Sequence, residues 1–150
     1  MKKFHFSLES LLTYRIFLER KAKEDVVSAL GDIRKCEQTI VDFMQEHKKT
    51  FGLLDKETDA GIGVEKFRLY NEYLEDLERE VKEAEKQLVQ LKNKLLEKQE
   101  ILKQRAMQKK ILEKVKDLKK EEYDKEVLDM LQKEADDMIS LKKAREIIEK

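Results

Sequence analysis

The amino-acid sequence predicts an all-α fold, a long two-helix antiparallel coiled-coil hairpin with an overhanging C-terminal helix. Three observations carry that reading. Proline is absent and three of the four glycines fall between Gly52 and Gly63, so the 150 residues lack the regularly spaced turn formers that sheets require. More than half of the residues are Ala, Glu, Lys, Arg or Leu, the composition of long helices and coiled coils. Apolar residues recur at alternating steps of three and four, the spacing with which one helix lays a stripe against another. The length fits one coiled-coil domain over residues 1–150. Although 44% of the residues are charged, the formal net charge is zero, and the share of Leu, Ile, Val and Phe argues against disorder.

The first helix is expected over about residues 7–54. Ser7 is a candidate N-cap, Phe6 and Leu11 can form a hydrophobic staple around it, and Glu9 sits where the helix dipole favours an acid. A seam starts at Leu8, Leu11, Arg15, Leu18, Ala22, Val26 and Ala29. It continues through Ile33, Cys36, Ile40, Phe43, His47, Phe51 and Leu54 at about 3.5 residues per step, the coiled-coil spacing. Two consecutive four-residue steps at positions 18, 22 and 26 form a stutter that unwinds the supercoil locally.

The clustered turn formers place the connecting loop at about 55–63. The second helix is expected over about 64–148. Its strongest heptads are Phe67, Tyr70, Leu74, Leu77, Val81, Ala84, Leu88, Leu91 and Leu95. Beyond them Leu102, Ile111, Val115, Leu118, Leu128, Leu131, Ala135, Met138, Leu141 and Ile148 keep a helical stripe, but Lys98, Arg105, Lys109 and Lys116 occupy the heptad continuation, so pairing should weaken. A short loop makes the helices antiparallel, with facing residue numbers summing to about 118. About forty residues of the second helix would then project about 60 Å beyond the start of the first. That projecting stripe has no partner within the chain.

Nothing in the sequence assembles a catalytic, cofactor or metal site. Cys36 lies on the seam and would face Val81 and Lys82, which suits a small core residue better than a nucleophile. His47, between Phe43 and Phe51 on the same stripe, reads as a seam or surface histidine, and His5 is far from it. Glu121 with Glu122, and Asp136 with Asp137, are adjacent on a helix and diverge around it, so they form a solvated face. There is no Gly-rich phosphate loop and no small-molecule substrate site. One cysteine excludes a disulfide framework, the N-terminus lacks the apolar run of a signal peptide, and no stretch approaches 18 uncharged apolar residues. A cytosolic location follows.

The charges are banded. Residues 55–85 hold eleven acids against five bases, residues 92–120 eleven bases against four acids, and residues 121–150 ten acids against six bases. The basic band lacks the interleaved aromatic residues of a base-stacking surface, and its acidic flanks oppose phosphate, so nucleic acid is not a partner. A charged protein surface fits it better, the plainer alternative being a solvated helix face.

Particular residues carry a family resemblance. The run Phe4-x-Phe6-x-Leu8-Glu9-x-Leu11-Leu12-x-Tyr14-Arg15, a long helix, the loop residues Gly61-Ile62, and then Tyr70-x-x-Tyr73-Leu74-x-x-Leu77 together resemble the bacterial flagellar FliJ family. The near neighbour with the same layout is the YscO-like stalk of virulence type III secretion systems. A holdase or generic coiled-coil scaffold homodimerising through residues 111–148 is the reading from a different class.

The resemblance implies a non-enzymatic component of the flagellar type III export apparatus, a coiled coil similar to the two-helix part of the rotary ATP synthase gamma subunit. It implies binding to the hexameric export ATPase FliI and to the cytosolic domain of the export gate protein FlhA, and a part in the turnover of export chaperones. It also implies a place at the cytoplasmic face of the inner membrane at the flagellar base. The gate contact in the family lies toward the loop, where the matching positions are Tyr73, Leu77 and Ala84, with Ile40, Met44 and Phe51 on the first helix. The seam assigns Leu77 and Ala84 equally to the core. Lys98, Arg105, Lys109, Lys110, Lys114 and Lys116 are the candidate ATPase contacts, and Glu75, Glu78 and Glu83 the acidic counterpart toward the gate.

Overall fold

A computed structural model describes residues 2–149. It is 93% helical, and two long helices pack against each other: α1 is Glu9–Ala60 and α2 is Val64–Glu149. There is no strand among the described residues. The chain divides into two compact units. One, the loop unit, is Arg20–Gln104; the other, the terminal unit, joins the described residues up to Glu19 with those from Arg105 onward.

The start of α1 differs slightly from expectation. The Leu8 carbonyl accepts from Leu12 N at 2.9 Å, which puts Leu8 rather than Ser7 at the cap position. Phe6 and Leu12 are buried while Leu11 is 39% exposed, so Leu12 takes the inward position expected of Leu8 and Leu11. The end of α1 differs more. Residues 55–60, expected in the loop, remain helical, and only residues 61–63 connect the helices. Asp, Lys, Glu, Thr and Ala contain no helix breaker, and Thr58 returns its hydroxyl to the Leu54 carbonyl at 2.7 Å. The helix stops at Gly61, whose φ of 86° lies in the left-handed region and whose N–H donates to Thr58 O at 3.1 Å. Gly63 opens α2, its carbonyl accepting from Phe67 N at 3.1 Å.

Because the turn is centred near Ile62, the register shifts with it. In the loop unit Glu57 pairs with Lys66 at 3.1 Å, Glu46 with Tyr73 at 3.2 Å, and Cys36 donates its S–H to Ala84 O at 3.3 Å. Cys36 therefore faces Ala84 rather than Val81 and Lys82. In the terminal unit Glu9 pairs with Lys116, Arg15 with Gln108, and Tyr123 OH donates to Lys2 O at 2.5 Å. Numbers rise on one helix as they fall on the other, so the pairing is antiparallel in each unit.

The loop unit holds most of the apolar core: Ala22, Ile33, Ile40 and Leu54 from α1 against Leu74, Leu77 and Ala84 from α2. One stripe per helix is buried and no large side chain is fully enclosed, as two helices alone dictate. Near the loop the α1 seam passes through Thr50, which is buried, whereas Phe51 is 56% exposed. In the terminal unit only Phe6 and Leu12 are buried hydrophobic residues, and buried Glu19 takes a seam position.

The overhang is shorter than expected. The non-helical residues before α1 follow α2 as far as Tyr123, with the Phe4 and Tyr123 rings 5.6 Å apart and the Lys120 ammonium over both, at 5.2 and 5.0 Å. Every residue from 128 to 149 is exposed, about 30 Å of helix rather than about 60 Å.

Candidate functional site

Three surfaces hold the residues singled out by sequence. The first is in the loop unit. Of the six gate candidates, Ile40, Leu77 and Ala84 are buried in the seam, with at most 9% of their surface accessible. Met44, Phe51 and Tyr73 are 43–56% exposed. The Tyr73 hydroxyl donates to Glu46, and Met44 borders a shallow groove with His47, Glu78, Val81 and Lys82. Glu46 and Met44 are two residues apart on α1 and so about 160° apart around it. Tyr73 therefore lies along one edge of the seam, Met44 along the other. His47 Nε2 lies 3.1 Å from a Glu78 carboxylate oxygen, a surface pair rather than a ligand set. Among the described residues no group of His, Cys, Asp or Glu is placed to hold a metal ion.

The second surface is the charged seam of the terminal unit. Lys109 reaches Glu19 at 2.7 Å and Glu113 at 3.8 Å, while Lys116 reaches Glu9 at 2.9 Å. Arg15 donates to Gln108 Oε1 at 2.6 Å. Of the six candidate ATPase contacts, Arg105, Lys109 and Lys116 here and Lys98 in the loop unit are half-buried, and Lys109 and Lys116 spend their charge on α1. Lys110 and Lys114 point to solvent. Sequence reasoning placed the lysines on the seam but missed their partners. The signal was present: Glu9 and Glu19 lie one helical face from Leu12 and Arg15, opposite those lysines once the turn is centred on Ile62.

The hydrogen bond that Lys109 donates to the Glu19 carboxylate raises the Lys109 pKa above the ordinary 10.5, against the opposing effect of desolvation. Desolvation, with Glu46 beside it, raises the Tyr73 phenol above the ordinary 10.0, and desolvation with Glu57 does the same for Tyr70. Each group holds its proton more tightly in the folded hairpin than in the unfolded chain. Their contribution is full below the ordinary values and is lost as pH rises through the shifted ones. The melting temperature followed by circular dichroism should be flat from about pH 8 to about pH 9.5 and fall above that, with no matching rise.

The third surface is the outward side of α2. Ile111 and Leu118, expected on the seam, are 61% and 58% exposed; Val115 is half-buried as expected, and Leu112 is half-buried where Ile111 was expected. Met107, Lys110, Ile111, Glu113 and Lys114 line one shallow groove, with Leu118 a turn further along the same face. Farther on, Leu128, Leu131, Met138, Leu141 and Ile148 are 56–83% exposed. Apolar side chains rimmed by charged residues of both signs, on a surface that no described residue covers, are the features of a protein-binding face. No described helix is long and apolar enough to cross a membrane.

In comparison with known proteins, residues 4–146 match the family described as Flagellar FliJ protein. Neither the curated proteins nor the solved structures that were compared give a match. The match takes in α1, the turn and nearly all of α2. The chain belongs to the flagellar FliJ family and is a component of the flagellar export apparatus.

Proposed function

We propose that the chain is a non-enzymatic connector of the export apparatus, binding the export ATPase hexamer through the terminal unit and the cytosolic domain of the export gate through the loop unit, and helping export chaperones to turn over. The observation that carries the reading is the family match over residues 4–146 in a chain whose α2 leaves its outward face, from Met107 to Ile148, uncovered. Within the basic band the reading falls on Lys110 and Lys114, because Lys109 and Lys116 already pair with Glu19 and Glu9. Met107 and Ile111 supply apolar contact between them, and an acidic, partly apolar ring surface is the complementary chemistry. Toward the gate it falls on Tyr73, Met44 and Phe51, with Ile40, Leu77 and Ala84 holding the helices that present them. Its working place is the cytoplasmic face of the inner membrane at the flagellar base, as a peripheral component.

Pull-down of the purified chain with the export ATPase and, separately, with the gate's cytosolic domain tests this reading. Capture of both supports it, and capture of neither removes it.

A further inference from the structure

Glu9 and Glu19 are the two acids that precede Arg20, and both close on lysines of α2, at 2.9 Å to Lys116 and 2.7 Å to Lys109. The surface they close on is a second basic and apolar face of that helix. Arg105, Lys109, Leu112, Val115 and Lys116 are all half-buried and point within about 60° of the Leu112 direction. Glu113 stands at one edge, 3.8 Å from Lys109. Bases and aliphatic side chains alternate here much as Met107, Lys110, Ile111 and Lys114 do on the outward side.

Ions hold such a seam poorly. A buried pair gains in mutual attraction roughly what it loses in hydration, so Glu19 with Lys109 adds little over two apolar side chains. The loop unit closes its own seam with Leu, Ile and Ala. An ion pair differs from an apolar contact in one useful respect: a lysine can exchange one carboxylate for another at little net cost, because the bond broken and the bond made are alike. We infer that the start of α1 masks the inner face of α2 in the free chain and yields it to an acidic partner surface, with Glu9 and Glu19 holding the places that the partner's carboxylates take. That partner is the acidic ring surface of the reading proposed above, on which this rests. Among the described residues of the terminal unit only two buried apolar side chains, Phe6 and Leu12, oppose the exchange. Once it occurs, Lys109 and Lys116 join Lys110 and Lys114, and α2 presents bases around most of its circumference.

Dissociation constants of the full chain for the export ATPase hexamer test this. A masked face lowers apparent affinity by the fraction of chains in which it is open, so unmasking should tighten binding. Glu9→Gln, which breaks a pair near the surface, should do so by about threefold, and Glu9→Gln with Glu19→Gln by about tenfold. Circular dichroism should show the double variant still helical at the assay temperature, with a lower melting temperature because half-buried Lys109 has lost its partner. Adding Lys109→Gln and Lys116→Gln should return the affinity to that of the parent or below, since the unmasked bases are then absent. A gain that survives those two changes reports loosening alone and overturns the inference, and so does parent affinity in both glutamine variants. In either case the parent still binds and the connector stands. A parent that does not bind removes the connector and the masked face together.

Discussion

Replacing Leu77 by alanine lowers the stability of the hairpin by about 2–3 kcal/mol, seen as a drop of several degrees in the melting temperature followed by circular dichroism. Leu77 is only 6% accessible and lies in the seam with Leu74 and Ala84, in the richest part of the apolar core. Truncation removes about three methylene equivalents of buried surface and opens a gap that two helices cannot fully close. The estimate lies at the low end for leucine because water can enter the gap from the sides of so thin a core. Tyr73→Ala should leave the melting temperature nearly unchanged, since Tyr73 is 43% exposed and its hydroxyl bonds the half-buried Glu46 at the surface. The pair separates two roles that sequence spacing left joined. If Tyr73 serves the gate and Leu77 serves the seam, Tyr73→Ala weakens gate binding at constant stability, and Leu77→Ala weakens it only in proportion to the hairpin lost.

The second large effect is expected at the ATPase. Lys110→Glu with Lys114→Glu should weaken binding to the hexamer by about tenfold or more at low salt, with a smaller difference near physiological salt, where exposed charges are screened within about 8 Å. Most of the loss should appear in the association rate. Helicity should be unchanged, because glutamate is as good a helix former as lysine and neither side chain is buried. Lys109→Glu makes a different comparison. It sets two carboxylates against each other at Glu19, whose side chain is 7% accessible, and should loosen the terminal unit before any partner is present. Equal affinity of the Lys110/Lys114 variant and the parent across a salt series would make the basic band a solvated face and the ring contact apolar.

How much of this was legible in the sequence follows from where apolar periodicity is strong. From Arg15 to His47 and from Leu74 to Leu95 the heptad steps name the inward residues, and these positions are buried or half-buried. Periodicity gave out at three places. Near the turn, residues 55–60 carry no apolar stripe, so their helicity was invisible; it rests on the absence of breakers and on Gly61 taking the left-handed conformation. Moving the turn centre from about residue 59 to Ile62 then shifted the facing pairs, slightly at Tyr73 and Cys36 and by more at Glu9 with Lys116. At Thr50 and Phe51, a threonine took the seam and the larger side chain went outward, a choice set by the register. In the terminal unit the seam is built from ions. A hydrophobic pattern cannot report Lys109 with Glu19, or Lys116 with Glu9, although charge complementarity across a correct register would have. The residues before α1 were the last gap, since Phe4 and Tyr123 meet across more than a hundred positions. Family motif and bare composition thus contributed differently: the N-terminal run identified the family, and the unevenness of the seam identified which parts face outward.

The measurement that tests the account most directly is hydrogen–deuterium exchange of the chain alone and bound to the export ATPase hexamer. In the free chain residues 128–149 should exchange fastest among the helical residues, because no side chain there is covered, and the loop unit around Leu74 and Leu77 slowest. Binding to the ring should slow exchange across 107–118 and 128–148 and leave residues 36–84 as they were. Protection confined to the loop unit, or none at saturating ATPase, would contradict the account.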